Sequence, residues 1–366
     1  MIERDKAKYF HGRKEELKQF KFLLDLSKKR GIGSSFLIQG APGVGKSALI
    51  HECEEIARKL KWNVVKLGIR SLSNETDLFN HITKNTNPKE IIKSQGVNFQ
   101  VWKASIQTKS REEIDYVNED LVKSRPTLFV LDEAQNLGIK DTFSNEDKKQ
   151  IVDFLDRHHN LKTNNGFVMF FGGLSHTRKV LVEFGLSRIN EECCFNLQPL
   201  DNSSERAIIR DWITEKVKYK RYKSEIEHWI DQITTRTSRW PRHIASYCNQ
   251  IDVHLQKNEV LTDGQLKMIL ERGDVLKAKY YNQRCEKLLR TDRKILAKLV
   301  QHLPSIFDKI DVIEFLKKEK DLLTMTKEEF WDASVAKGVF HLRVDGAFSI
   351  PIPSFKTWLF EQYGNS

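Results

Sequence analysis

Gly40-Ala41-Pro42-Gly43-Val44-Gly45-Lys46-Ser47 is the most informative segment of the chain. It fits the pattern G-x-x-x-x-G-K-[ST], in which glycines allow backbone N–H groups to converge on an anion. An apolar run over 36–38 precedes the stretch and predicts a short buried strand, and apolar residues at helical spacing follow it. Because strand, loop and helix occur in the order that a phosphate-binding loop requires, we interpret the stretch as a P-loop rather than a glycine-rich turn.

All eight residues of the P-loop are predicted to bind a nucleotide, and two of them contribute side chains of known chemistry. Lys46 is expected to reach the β- and γ-phosphates, and the Ser47 hydroxyl is expected to ligate Mg²⁺. The sequence has no [NT]-K-x-D stretch, the motif with which GTP-binding proteins read their base. A GTPase is therefore not favoured, and Mg²⁺ is predicted as a cofactor beside the nucleotide.

An apolar run that ends in two acidic residues lies downstream of the P-loop. Thr127–Leu131 predicts a buried strand, and Asp132 and Glu133 follow it directly. With a P-loop upstream, Asp132 is expected to hold the Mg²⁺ ion and Glu133 to polarise the water that attacks the γ-phosphate. A surface turn can also carry two acids, but the P-loop makes the catalytic interpretation the stronger one.

Strand-like apolar runs recur along the first 200 residues and alternate with helical segments. They span 36–39, 62–67, 127–131, 167–171 and 193–197. Near-continuous apolar strands between helices predict an α/β domain over residues 1–200, with a parallel sheet and helices on both faces. Residues 71–124 exceed the length of a simple crossover, so we interpret them as an insertion.

After residue 200 the strand signal stops and helical spacing continues. Residues 201–275 predict a small helical domain. Residues 276–366 predict a winged helix, because three helical segments precede two short strand-like runs, 339–343 and 348–350. The turn between these runs contains Asp345-Gly346, which is typical of a hairpin.

Composition and charge limit the class of protein. The chain has 366 residues, of which 39% are hydrophobic and 30% charged, as in soluble globular domains. The net charge of +11 permits contact with a polyanion such as nucleic acid. No apolar run is long enough to span a bilayer, and the N-terminus lacks the apolar segment of a signal peptide. We therefore expect no membrane partner and a cytoplasmic location.

The P-loop, the acidic strand end and the helical C-terminal parts together resemble the AAA+ ATPase family, over about residues 9–366. The sequence is most similar to the replication-initiator branch, the origin-recognition and loader proteins, and to transposition-regulator ATPases. The resemblance implies an α/β P-loop AAA+ sheet, a helical lid over 201–275 and a winged-helix domain over 276–366. It also implies ATP hydrolysis and self-association through the nucleotide interface.

Three shorter segments match further motifs of this family. Phe10-His11-Gly12-Arg13 resembles the N-terminal box whose backbone contacts adenine, which implies that Phe10 and Arg13 bind the nucleotide. Leu186-Ser187-Arg188 resembles the segment with the arginine finger, which implies that Arg188 enters a neighbouring subunit's site and stabilises charge on the transferring phosphoryl group. Trp240-Pro241-Arg242-His243 resembles sensor 2, which implies that Arg242 touches the γ-phosphate from the lid.

A fourth segment departs from the family pattern. The run over 167–171, followed by Gly172-Gly173, resembles the strand that ends in sensor 1, where the family usually has Asn, Thr or Ser. Because two glycines occupy that position, Ser175 is the candidate for the catalytic role of sensor 1, with His176 as the other possibility.

Two functions remain open from the sequence. The first is an ATP-driven assembling switch that acts on double-stranded DNA or DNA-bound machinery, as in replication, transposition or other mobile-element systems. The second is a regulatory ATPase that controls a protein effector in an anti-phage defence or toxin module, with the winged helix and residues 71–124 binding protein. The third helix of the winged helix, around 327–332, is mixed in charge, and the nearby basic candidates for DNA contact are His341, Arg343, Arg293, Lys294 and Lys298.

Overall fold

The computed structural model describes residues 7–67, 126–138, 165–186, 191–255, 260–343 and 345–364, with isolated positions between residues 144 and 160 and at residue 189. The chain divides into two compact units. The first comprises Arg13–Gln39 and Lys46–Phe195, and the second comprises Ala7–Gly12, Gly40–Gly45 and Asn196–Ser366. The predicted insertion at 71–124 and the predicted arginine finger, Arg188, lie outside the described residues.

A five-stranded sheet forms the centre of the first unit. Its strands are β1 Gly33–Gln39, β2 Asn63–Leu67, β3 Thr127–Leu131, β4 Phe167–Gly173 and β5 Cys194–Asn196. The strand order is β2-β3-β4-β1-β5, and β1, β4, β3 and β2 run parallel. Each predicted strand is present. Because the strands are parallel, the loops after β1, β3 and β4 leave the sheet at the same edge.

Helices cover both faces of this sheet. They are α1 Lys14–Arg30, α2 Lys46–Lys59 and α3 Thr177–Phe184. Successive residues of a strand point to opposite faces. Phe36 of β1 lies edge-on to Phe20 of α1, with 5.5 Å between ring centroids, whereas Leu37 belongs to the core cluster that contains Leu181 of α3. The predicted α/β fold with a doubly covered parallel sheet is therefore confirmed.

In the second unit, the helices that follow β5 form a lid with its own core. They are α4 Asn202–Thr214, α5 Lys223–Thr237, α6 Pro241–His254 and α7 Asp263–Arg284. Trp212, Trp229 and Tyr247 are buried in that core. The carboxylate of Asp201 caps α4 by accepting a hydrogen bond of 2.7 Å from the Ser204 N–H. Pro241 is the first residue of α6, where a backbone N–H would have no partner within the helix, so the proline costs no helical hydrogen bond.

The last lid helix, α7, runs through the predicted domain boundary at 275/276 without a break. Gly273 lies inside it, where glycine ordinarily weakens a helix. A Cβ at Gly273 would overlap the ring of Tyr247, so the glycine makes room for a buried aromatic side chain. The lid and the C-terminal module therefore share one continuous helix.

A winged helix follows α7. It contains α8 Arg290–His302, α9 Lys309–Lys318, α10 Lys327–Ala336, β6 His341–Leu342, β7 Phe348–Ser349 and α11 Phe355–Tyr363. Phe307 pairs with Phe348 in an isolated antiparallel bridge, a third strand position that the sequence did not indicate. The ring of Trp331 packs against Phe348 at 4.6 Å and closes the core between α10 and the wing. Among the helices of the described chain, none has the length and apolar character needed to cross a membrane.

Candidate nucleotide site

Lys46, Ser47 and Asp132 lie together at the edge of the sheet where β1 and β3 end. Lys46 is buried and is the first residue of α2, where the helix N-terminus adds a partial positive charge. The Ser47 hydroxyl donates a hydrogen bond of 3.0 Å to Oδ2 of Asp132. A hydroxyl and a carboxylate oxygen at this separation are the hard oxygen ligands that Mg²⁺ prefers.

The electrostatics of Asp132 are suited to a cation. Burial, together with the negative charge of the neighbouring Glu133, raises the pKa of its carboxyl group. The hydrogen bonds from Glu133 N–H and Ser47 and the charge of Lys46 only partly oppose that rise. The ionised carboxylate is therefore incompletely compensated in this structure. A cation placed beside it would remove the penalty of burial.

Glu133 follows Asp132 directly and differs from it in backbone conformation and exposure. Its backbone has φ +54°, in the left-handed region that non-glycine residues rarely adopt, and its N–H donates to Oδ1 of Asp132 at 2.8 Å. Asp132 is largely covered, whereas Glu133 is exposed. Two consecutive carboxylates thus occupy different environments, as separate roles in metal binding and proton transfer require.

The glycines of the P-loop have the backbone that such a loop needs. Gly43 has φ +79° and Gly45 has φ +98°, both in the region that favours glycine. A Cβ at Gly43 would lie 2.8 Å from Cβ of Arg242 and 3.1 Å from Nε1 of Trp240. The backbone N–H of Arg242 donates to the Gly43 carbonyl at 3.1 Å, which brings the predicted sensor 2 segment beside the loop.

Two further contacts of the P-loop come from the C-terminal half of the second unit. The hydroxyl of Tyr280, on α7, donates to the Pro42 carbonyl. Gly338, in the turn after α10, has φ +69°, and a Cβ there would overlap the ring of Pro42. Neither contact was predicted from the sequence, because each joins segments that lie nearly 240 residues apart or more.

The structure also places Phe10, Arg13 and Ser175. Phe10 is half-buried in the second unit. Arg13 precedes α1 with φ +56°, and its guanidinium lies 3.5 Å from Glu16 in the first turn of that helix. Ser175 is buried in the turn between β4 and α3. The nucleotide-binding roles of Phe10 and Arg13 and the sensor 1 role of Ser175 stay predictions.

Most basic candidates for DNA contact in the winged helix have partners within the module. Arg343 pairs with Asp345 at 3.1 Å, Lys298 lies 3.5 Å from Glu319, and Nε of Arg293 donates to the Leu288 carbonyl at 2.9 Å. His341 is buried. The exposed face of α10 is acidic rather than mixed, because its exposed charged side chains are Glu328, Glu329 and Asp332.

An exposed cationic surface lies instead in the connection from α4 to the first residue of α5. This basic loop consists of four exposed side chains, Lys218, Lys220, Arg221 and Lys223. Within the part of the chain that the structure describes, none of the four forms a salt bridge. The alternation of basic residues with Tyr219 and Tyr222 was the sequence signal that could have identified it.

The fold and these residues define a P-loop nucleotide-binding protein, with the phosphate loop after β1 and an acidic pair after β3. Residues 9–159 match the family model of the AAA ATPase domain. This part of the chain is therefore an AAA ATPase domain, and the protein is an ATPase. No curated protein matches the sequence.

Solved structures resemble the chain in fold along nearly its whole length. The Walker-type ATPase PABY2304 of Pyrococcus abyssi is 14% identical and has a TM-score of 0.64, with 97% of each chain covered. The ORC2 protein of Aeropyrum pernix, solved in ADPNP–ADP complexes, is 12% identical and has a TM-score of 0.60, with 99% of this chain and 98% of that chain covered. Identities this low show the fold alone.

Proposed function

We propose that this AAA+ ATPase is an assembling switch that binds and hydrolyses Mg²⁺-ATP and acts on DNA or DNA-bound machinery of the replication, transposition or mobile-element type. The observation that carries the proposal is the contact between Ser47 and Asp132, beside the buried Lys46 at the start of α2. This contact brings the last two residues of the P-loop together with the carboxylate that follows β3, a set of side chains suited to phosphate and Mg²⁺.

The residues present fit a magnesium nucleotide. Glycines at positive φ free the loop backbone for the phosphates, and Lys46 reaches the β- and γ-phosphates. Ser47 and Asp132 hold the metal ion, which when bound neutralises charge on the phosphate oxygens. Glu133 accepts a proton from the water nucleophile, because it is the exposed member of the acidic pair.

Two arginines are proposed to act on the γ-phosphate, one from the lid and one from a neighbouring copy. Arg242 is held next to the P-loop by its backbone bond to Gly43, which supports its role as the residue that senses the γ-phosphate. Arg188 is proposed to act in trans on the site of a neighbouring copy, so that hydrolysis requires self-association. Both roles rest on the motif neighbours of these arginines in the sequence.

The basic loop supports the DNA part of the proposal. Its four cationic side chains are exposed, and the chain as a whole carries a net charge of +11. Clustered lysine and arginine bind the DNA backbone by displacing condensed counterions, which makes affinity strongly dependent on salt. We therefore assign DNA contact to the basic loop in preference to the acidic face of α10.

Two variants test the ATPase part. Lys46→Ala is expected to abolish ATP binding, and Glu133→Gln to preserve binding while slowing turnover by roughly 100-fold or more. Nucleotide binding is measured with a fluorescent ATP analogue and turnover by phosphate release. Hydrolysis at the wild-type rate by Glu133→Gln would refute the proposed role of Glu133.

Matched neutralisations test the DNA part. Alanine at the four positions of the basic loop should weaken retention on duplex DNA and reduce the slope of log K against log salt by up to about 0.9 per lost contact. The control replaces four exposed lysines of the winged helix, Lys309, Lys317, Lys318 and Lys320, and should change both quantities less. If the wild-type protein is not retained at low salt with any nucleotide, the DNA part is wrong.

One observation favours a second candidate function. The exposed acidic face of α10 suits a basic protein surface better than a DNA groove, so the winged helix of a regulatory ATPase could bind a protein effector of an anti-phage or toxin module. Capture of a neighbour-encoded protein that is lost on Glu328→Lys and Asp332→Lys, together with intact hydrolysis and no DNA retention, would favour this function over the first.

A further inference from the structure

Gln135 lies two residues beyond Glu133, in the 3-10 helix Ala134–Gly138. Its side-chain Nε2 donates a hydrogen bond to Oε2 of Glu133. Its Oε1 accepts a hydrogen bond of 3.1 Å from the backbone N–H of Leu174, directly after β4. The amide of Gln135 therefore joins the carboxylate of Glu133 to the end of the central strand.

The two hydrogen bonds fix the orientation of this amide. A backbone N–H requires an acceptor, so the carbonyl oxygen of Gln135 faces Leu174 and the NH₂ group is left to face the carboxylate. Leu174 is itself held in place, because its carbonyl accepts hydrogen bonds from both the backbone N–H and the hydroxyl of the buried Thr177. Gln135 is thus anchored to a fixed turn.

Glu133 has little other support. Its side chain is exposed and its backbone is in the left-handed region. Within the described residues, Gln135 supplies the one side-chain hydrogen bond to the Glu133 carboxylate. A general base must be held within reach of the proton that it accepts. Without the hydrogen bond from Gln135, the Glu133 carboxylate would be correctly placed for proton transfer during only part of the time, and hydrolysis would be slower.

The glycines at the end of β4 explain why this support comes from Gln135. A Cβ at Gly173 would overlap Oε1 of Gln135 and Oγ1 of Thr177, and a Cβ at Gly172 would lie 2.6 Å from Cδ1 of Ile50. A side chain at Gly173 would therefore compete for space with the amide of Gln135, and one at Gly172 with Ile50.

We propose that Gln135 is a positioning residue for ATP hydrolysis, which holds the Glu133 carboxylate in place from the end of β4. This inference rests on the proposed role of Glu133 as general base. In this arrangement the side chain of Gln135, which follows β3, occupies the space beside the glycines at the end of β4.

A double-mutant cycle tests the proposal on the full-length chain. Gln135→Ala is expected to lower kcat about 10-fold or more while leaving the KM for ATP within roughly twofold, because nucleotide binding does not use this amide. In the Glu133→Gln background, the same change should not lower the residual rate further, since Gln135 acts through Glu133. Asn136→Ala, on the same 3-10 helix, is the matched control and should leave kcat unchanged.

The outcomes separate this inference from the proposed function. If Glu133→Gln hydrolyses ATP at the wild-type rate, the role of Glu133 fails and the inference with it. If Glu133→Gln is slow but Gln135→Ala has normal kcat, or lowers the rate by the same factor in both backgrounds, the inference alone is overturned. Gln135→Met keeps the length of the side chain without its hydrogen bonds, and it replaces Gln135→Ala in the cycle if that variant does not fold.

Discussion

The carboxyl group of Asp132 lies where burial raises its pKa, and the neighbouring hydrogen bonds and the charge of Lys46 oppose that rise without cancelling it. An ionised carboxylate in such surroundings lowers the free energy of unfolding of the metal-free protein, because the loss of its hydration costs more than the interactions with its neighbours return. The same deficit favours a bound cation. At this residue the requirements of metal binding and of stability therefore oppose each other.

Asp132→Asn should accordingly raise the Tm of the nucleotide-free protein by roughly 2–4 °C and abolish Mg²⁺-dependent hydrolysis. The stability gain should shrink as the pH falls through the raised pKa of Asp132, because protonation removes the same charge from the wild-type protein. Thermal unfolding between neutral and acidic pH measures both effects. Glu133→Gln removes the adjacent, exposed carboxylate, whose charge adds less to the raised pKa of Asp132 than burial does, and it should therefore raise Tm by less than Asp132→Asn. An equal gain from both variants would contradict the argument from burial.

The sequence predicted which residues meet at this site but not how Glu133 is supported. Parallel strands bring the ends of β1 and β3 to one edge, so the proximity of Ser47 and Asp132 follows from motif order and fold class. The bond from Gln135 to Glu133 depends on a short 3-10 helix and on a positive φ. Neither leaves a periodic trace in the sequence, so this contact required the structure.

Helix α7 connects three parts of the second unit: the lid, the P-loop and the winged helix. Its tyrosines face different neighbours: Tyr280 donates to the P-loop carbonyl of Pro42, and the hydroxyl of Tyr281 lies 2.7 Å from Oγ of Ser354 at the start of α11. The predicted domain boundary at 275/276 falls inside this helix, where charged residues are frequent. Two of these charges contact the lid, because Asp274 accepts a hydrogen bond from the hydroxyl of the buried Tyr247 and Lys277 donates to the Arg236 carbonyl. The buried positions of the helix continue to Tyr280 and Tyr281.

Tyr280→Phe and Tyr281→Phe form a matched pair that tests whether α7 supports the P-loop. Each removes one hydroxyl from a buried ring on the same helix, and each should destabilise the protein by about 1 kcal/mol. Only Tyr280→Phe leaves the Pro42 carbonyl without this donor, so it alone should weaken ATP binding, by about fivefold. Equal affinities for a fluorescent ATP analogue in the two variants would show that the hydroxyl does not support the loop.

The proposed switch depends on contact between copies of the chain. Arg188 carries this dependence, since a finger supplied in trans makes the active site of each copy incomplete without its neighbour. The prediction rests on the segment Leu186-Ser187-Arg188 in the sequence, because Arg188 itself lies outside the described residues.

Mixing two inactive variants tests this arrangement. Arg188→Ala keeps its P-loop but lacks the finger, whereas Lys46→Ala keeps the finger but cannot bind ATP. Phosphate release should therefore recover at intermediate mixing ratios, where a site of the first variant meets Arg188 of the second. The double variant Lys46→Ala/Arg188→Ala should give no recovery when mixed with Arg188→Ala, and recovery there, or none in either mixture, would contradict action in trans.

The close approach of Gly338 to Pro42 connects the P-loop to the winged helix, so that nucleotide binding at the loop can affect the position of α10. The turn that follows α10 touches the first half of the P-loop directly, so the chain needs no series of intermediate side chains to connect them. If the loop shifts as it closes around phosphates, the surface on which the base of the winged helix rests shifts as well. The filled and empty forms of the loop would then present α10 in different orientations to whatever that helix binds.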